Sequence, residues 1–317
     1  LLRHGKKLDE KDSQTVMEHE SKPQMTQEPT PELIERYTLG SDELASIAIT
    51  LDPKTKQCYY NIEEPEISKR LQKIINEVEK IFVYELKYDP AFVQDSSLLK
   101  KYLKESTDRA LKRYRIRLTE EEGDVLRFYL NRNYFGYGPV DLPMKDPNIE
   151  DISCDGVGLP VYIWHRKYES LPTNIVFTGM DELDDFVSKL AHVSGKHISV
   201  AFPIVDAELP DRSRLATTYR KEVSHKGSSF TVRKFRSSPF TIVDLLSFGT
   251  LDLDMAAYFW FLIENKKSII VAGSTASGKT TTINALATFI HPKYRVITIE
   301  DTAELNLPHE HCLPLVA

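Results

Sequence analysis

One octapeptide constrains this chain more than any other feature. Gly273-Ser274-Thr275-Ala276-Ser277-Gly278-Lys279-Thr280 matches G-x-x-x-x-G-K-[ST] in full. At average residue usage, a chance match in a chain this long has odds of roughly one in a hundred. The flanks are those the motif needs. Residues 268–272 read as an apolar strand, and the residues from Lys279 onward read as a helix. Strand, Gly-rich loop and helix in that order begin an α/β sheet.

The motif has a direct physical meaning. Gly273 and Gly278 allow a backbone path that residues with a Cβ resist. The N–H groups of Gly273, Ser274, Thr275, Ala276, Ser277, Gly278, Lys279, Thr280 and Thr281 can then converge on phosphate oxygens at the positive end of a helix. The Lys279 ammonium can reach the β- and γ-phosphates of a nucleotide, the Thr280 hydroxyl can ligate Mg²⁺, and Thr281 can bond the α-phosphate.

A second strand, over 295–299, ends in Glu300-Asp301. A right-handed crossover would bring its carboxyl end to the edge of the sheet that carries the phosphate loop. Glu300 is the candidate for orienting the attacking water. Asp301 is the candidate for holding the metal through a bound water, with Glu304 supporting either. Two alternatives stay open: Glu300-Asp301 is itself a metal site of the Walker B type, or these acids merely end a strand at the surface. Hydrolysis also needs positive charge at the γ-phosphate beyond Lys279, and Arg212, Arg214 and Arg233 are the candidates.

Composition narrows the partners. Lys and Arg total 41 and Asp and Glu 47, a net charge of −6 that counts against a general nucleic-acid-binding surface. No apolar run approaches the roughly 20 residues of a bilayer span. The densest, over 256–263, stops at Glu264. Cys58, Cys154 and Cys312 are far apart and give neither a disulfide framework nor a metal spacing, so a reducing cytoplasm is expected.

The chain divides into five stretches. Residues 1–30 read as a flexible polar arm. Residues 31–115 read as an N-terminal docking module, with strands over 45–49 and 57–62 and a helix carrying Ile67, Leu71, Ile74, Ile75, Val78, Ile81 and Phe82 at helical spacing. Leu98, Leu99, Tyr102 and Leu103 suggest another helix. Residues 116–236 form a middle domain. It has a helix capped by Thr119, strands over 149–154, 161–164 and 229–233, and a helix over 181–194 with Leu183, Phe186, Val187 and Leu190 on one stripe. Residues 237–253 read as a linker. Residues 254–317 start the phosphate-loop domain with a helix whose aromatics, Tyr258 to Phe261, read as core. Cys154 reads as buried, and His309-Glu310-His311 as structural or surface residues rather than a metal pair. The fold class is therefore α+β N-terminal domains followed by the start of an α/β P-loop domain.

The same text resembles the ATPases that power type II and type IV secretion and pilus machines, most of all their archaeal GspE-like and archaellum-motor members. The matching residues include Asp146-Pro147-Asn148-Ile149-Glu150-Asp151-Ile152-Ser153-Cys154, Leu209 to Leu215, Ser228 to Phe235, the phosphate loop, and Ile299-Glu300-Asp301-Thr302-Ala303-Glu304. They span roughly 130 to 312, with a weaker match over 37–110. The resemblance implies a homo-hexameric ring of RecA-like motor domains, each preceded by a PAS-like middle domain whose arginines reach the nucleotide. It also implies an N-terminal module that docks on a membrane-embedded platform protein, and a place on the cytoplasmic face of the membrane. Arg214 and Arg233 match the family's arginines and Glu300 its acid. Arg212 stands where Gly is usual, and Cys312 where Trp is common. The family's Walker B and His box follow this region, so the chain is expected to be a piece truncated at both ends, with an incomplete RecA-like domain, and inactive by itself. Two alternatives remain, a nucleotide-binding module without turnover and a conjugation-type nucleic-acid translocase.

Overall fold

The computed structural model describes residues 31–39, 44–85, 96–114, 116–235, 239–274, 277–301 and 304–316. The arm read over 1–30, and Thr275 and Ala276 of the phosphate loop, lie outside the described residues.

A nine-stranded sheet forms the body of the chain. β1 (Glu32–Thr38), β2 (Ser46–Leu51) and β3 (Cys58–Glu63) make an antiparallel meander. β4 (Ile149–Cys154), β5 (Pro160–His165), β6 (Glu169–Val176), β7 (Ile204–Glu208), β8 (Arg214–Thr218) and β9 (Ser229–Arg233) complete it in the order β1-β2-β3-β6-β5-β4-β9-β8-β7. The junction is a short parallel step of β3 on β6, with Tyr60 opposite Thr173. Beside it the Asn174 side chain accepts from the Ile62 N–H at 2.9 Å and donates to the Ile62 carbonyl at 2.8 Å. A carboxamide here completes the ladder that the strands leave short.

One hydrophobic core runs under this sheet and takes Ile47, Ile49 and Tyr60 from the meander together with Ile152, Val161, Leu171 and Phe230. The stripe Leu183, Phe186, Val187 and Leu190 on α5 (Met180–Val193) closes it. Each such side chain contributes on the order of 2 kcal/mol of burial. Cys154 is buried as expected.

The helices α1 (Lys69–Glu85), α2 (Ser96–Arg113) and α3 (Glu120–Leu130) pack as a second cluster around Leu71, Ile75, Val78, Leu126 and Leu130. Thr119 caps α3 in a reciprocal box. Its hydroxyl accepts from the Glu122 N–H at 3.1 Å, and Glu122 accepts from the Thr119 N–H at 3.0 Å.

The short α4 (Asp141–Lys145) ends on a buried hub, Asp146. The Tyr37 and Tyr60 hydroxyls donate to its Oδ2 at 2.5 and 2.9 Å, and the Asn148 N–H donates to Oδ1 at 2.8 Å. Lys234 donates to the Pro143 and Asp146 carbonyls. Burial holds its ammonium below the usual lysine range, at about 8. The hub thus joins the meander, α4 and the segment leading out of β9.

The stretch read as a linker contains a helix, α6 (Ile242–Ser247), N-capped by Thr241. Leu245 and Leu251 pack on Ala285 of α8 (Lys279–Ala287), the phosphate-loop helix. α7 (Leu253–Glu264) contributes Ala256 and Phe259 inward. The expectation of core aromatics fails elsewhere on this helix: Tyr258, Trp260 and Phe261 are exposed. α7 is apolar on several faces, and only one of them meets the cluster of α6 and α8.

The strand expected over 268–272 also does not form, and Ile270 is 91% exposed. A strand exists through its hydrogen-bonded neighbour, and among the described residues none pairs with this segment. Instead β10 (Val296–Glu300) pairs in parallel with β11 (Cys312–Val316), so Cys312 faces Val296. No helix among the described residues is long and apolar enough to cross a membrane.

Candidate functional site

The phosphate loop is organised around one carbonyl. Lys279 Nζ donates to the Ser274 carbonyl at 2.6 Å, Ser277 Oγ at 2.8 Å and the Ser277 N–H at 3.3 Å. Gly278 stands at the N-cap of α8 with φ +87°, in the left-handed region that glycine enters at no cost. A Cβ on Gly273 would come within 2.5 Å of Ser277 Oγ. Gly278 is thus required by the path of the chain, and Gly273 by the Ser277 side chain packed against it. Thr280 and Thr281 occupy the first turn of α8, where the free N–H groups of the helix point outward. An ammonium parked on a neutral carbonyl, two hydroxyls and a helix N-terminus form a donor set that suits a polyphosphate and a divalent cation.

The acidic segment after β10 is tied to the same helix. Asn284, buried on α8, accepts from the Asn306 N–H at 2.9 Å. Glu300 Oε2 accepts from the Glu304 and Leu305 N–H groups at 2.8 and 3.0 Å. Its other oxygen, Oε1, is buried without a hydrogen-bond partner among the described residues. One half of this carboxylate holds the loop, and the other is an acceptor with nothing yet to accept. His309 closes the segment, its Nε2 lying 2.9 Å from the Ile290 carbonyl, which gives it a structural role.

Arg214 and Arg233 come from the middle of the chain. They are directly opposite each other on β8 and β9, and both are exposed. Asp206 on β7 grips Arg214 at two points: Nε donates to Oδ1 at 3.1 Å and Nη2 to Oδ2 at 2.6 Å. That pair, and then the negative charges of Glu304 and Asp301, hold the Arg214 guanidinium protonated more firmly than a free arginine. Arg233 stands opposite Asp151 on its other side. Burial raises the Asp151 carboxyl above its ordinary range, and the charge of Arg233 pulls it part of the way back.

The structure thus gathers the sequence candidates into three groups: the loop with Ser274, Ser277, Gly278 and Lys279; Glu300 with Glu304, leashed to α8; and Arg214 with Arg233. Lys279 is bonded within its own loop and not to Glu300. Arg212 takes no part in these groups. It sits in the turn between β7 and β8 with φ +67°, its guanidinium 4.5 Å from the centre of the Phe235 ring. Two participants were not expected from the sequence, Asp206 and Asn284. An Asp and an Arg eight residues apart around a Pro-Asp turn are the available signal for the first, while Asn284 carries none.

Comparison with known proteins matches residues 160–315 to the family described as Type II/IV secretion system protein. The uncharacterized protein MJ0781 of Methanocaldococcus jannaschii is 32% identical over 318 residues, covering 97% of this chain and 43% of that protein. The uncharacterized protein MJ1288 of the same organism is 40% identical over 193 residues, 61% of this chain and 75% of that protein. The Type IV secretion system protein VirB11 of Bartonella henselae is 27% identical over 212 residues, 56% of this chain and 59% of that protein. The chain thus spans less than half the length of MJ0781.

Proposed function

The chain belongs to the type II/IV secretion system protein family, and from that premise we propose that it is part of an ATPase subunit that converts ATP hydrolysis into conformational work in a type II or type IV secretion or archaeal surface-filament machine. The observation that carries the proposal is the phosphate loop that opens α8, where the Lys279 ammonium rests on the Ser274 carbonyl beside the helix N-terminus.

ATP is the substrate. The N-terminal amides of α8 bind its phosphates, and Lys279 exchanges the Ser274 carbonyl for phosphate oxygen. Thr280, and Asp301 through a bound water, would hold Mg²⁺, which would neutralise charge on the phosphates. Arg214 and Arg233 bring further positive charge to the phosphate that is transferred. Glu300 Oε1, a buried acceptor with no partner among the described residues, orients the attacking water. The subunits form a homo-hexamer, and the chain works on the cytoplasmic face of a membrane through a platform protein.

A second reading, nucleotide binding without turnover, draws on the engagement of Glu300 Oε2 by the loop it caps. Phosphate release by the full-length protein separates the two. Turnover abolished by Lys279→Ala supports the first, and no turnover in the wild type supports the second. Stimulation of hydrolysis by DNA would instead favour the nucleic-acid translocase.

A further inference from the structure

Arg214 raises a difficulty for the proposed chemistry. Its side chain is 48% exposed, long, and opposed by a second arginine. A free arginine carries about 2 kcal/mol of rotamer entropy, and like charges directly opposite on a sheet repel. Left alone, Arg214 would sample many positions and lean away from Arg233. Asp206 removes both problems. It is a short side chain on a strand, so its carboxylate has little freedom. It takes Nε and Nη2 together, at 3.1 and 2.6 Å, and fixes the plane of the guanidinium. The Nη1 hydrogens are left for another acceptor. Its negative charge also offsets the repulsion between the two arginines.

The geometry points to Asp206 as a positioning residue for the proposed nucleotide reaction, one that presets the Arg214 guanidinium for the transferred phosphate and acts only through it. This rests on the reading of Arg214 as a nucleotide-facing arginine. It differs from a structural salt bridge in a measurable way. Both partners are about half exposed, and exposed pairs add about 0–1 kcal/mol to stability. A misplaced catalytic group can cost about a hundredfold in rate for about 1 Å. Kinetics should therefore respond where stability does not.

The test is a double-mutant cycle on ATP hydrolysis by the full-length protein. Asp206→Asn is expected to lower kcat about tenfold and to leave KM for ATP within about twofold. The melting temperature stays at the wild-type value. In an Arg214→Ala background the same substitution lowers kcat no further, and Asp206→Glu recovers part of the loss in the otherwise wild-type protein. Equal losses in both backgrounds overturn the assignment. So do wild-type kinetics for Asp206→Asn beside an impaired Arg214→Ala, and in either case the reading of Arg214 survives. Wild-type kinetics for Arg214→Ala overturn both. Should Asp206→Asn not fold, Asp206→Ser goes through the same cycle. If both melt far below wild type, the residue is structural and the assignment is overturned.

Discussion

Arg214 of β8 and Arg233 of β9 are directly opposed in antiparallel register, so both side chains leave the same face of the sheet. Such a pairing of like charges is unfavourable in a bare sheet. Asp206 and Asp151 offset it in part from the flanking strands, and an anionic phosphate would offset it further. That relationship is the main structural reason to place nucleotide chemistry at this edge of the middle segment.

Arg214→Ala and Arg233→Ala should each lower kcat for ATP in the full-length protein by roughly a thousandfold if both act at the transferred phosphate. The melting temperature without nucleotide should change little, because a repulsive pair is removed along with any attraction. Steady-state phosphate release with a parallel thermal melt checks both halves. A large fall in melting temperature would make them structural residues instead.

The phosphate loop predicts a separate outcome at Gly273. A Cβ there meets Ser277 Oγ at 2.5 Å, so Gly273→Ala must push the Ser277 side chain off the Ser274 carbonyl. Binding of a fluorescent ATP analogue should weaken at least tenfold. A Gly273→Ala/Ser277→Ala double variant should recover part of that affinity, since the obstructing hydroxyl is gone. Titration of both variants decides it.

Arg212 should show the cost of its backbone. Its φ of +67° lies in the left-handed region, where a residue with a Cβ loses about 1 kcal/mol relative to glycine. Arg212→Gly relieves that strain and loses the contact with Phe235, so its stability stays near wild type. Arg212→Ala loses the contact and keeps the strain. It should be the less stable of the two by about 1 kcal/mol in urea denaturation.

The Asp146 hub should be visible in alkali. Burial, and then the negative charge of Asp146 and the bonds to it, raise the hydroxyl pKa of Tyr37 and Tyr60 above the ordinary tyrosine value. Unfolded tyrosines ionise near pH 10. Above that pH the unfolded chain sheds protons that the folded chain keeps, so stability falls as pH rises; below it both states are protonated and the contribution is constant. Tyr60→Phe should cost about 1–3 kcal/mol at neutral pH, because the buried Asp146 carboxylate loses a donor. It should also flatten the decline between pH 10 and 11. Denaturant midpoints across that range, for wild type and variant, test both effects.

Local signals were legible wherever a short stretch carries its own physics. The cap at Thr119, the apolar stripe of α5 and the glycine that opens the phosphate-loop helix all form as expected. What failed depended on distant partners. Residues 268–272 have strand composition but no neighbour to pair with among the described residues. Tyr258 and Trp260 are apolar, yet α7 turns only part of its circumference to α6 and α8. β1 was missed because Glu32-Leu33-Ile34-Glu35-Arg36 does not alternate, and an edge strand needs little alternation to pair on one side.

By itself the sequence determined the phosphate loop, the helix it opens and Glu300 as a candidate, since motif spacing is a local property of the chain, while among Arg212, Arg214 and Arg233 it was the family resemblance that singled out Arg214 and Arg233. Only the tertiary structure decided that the meander β1–β3 extends the middle sheet through a single step at Tyr60, that Asp206 grips Arg214, and that Asn284 leashes the acidic segment to α8. These are contacts between residues far apart in the chain or joined across a hairpin. They arise from which strands pair and in what register, and long-range packing sets that, not the pattern of any one segment.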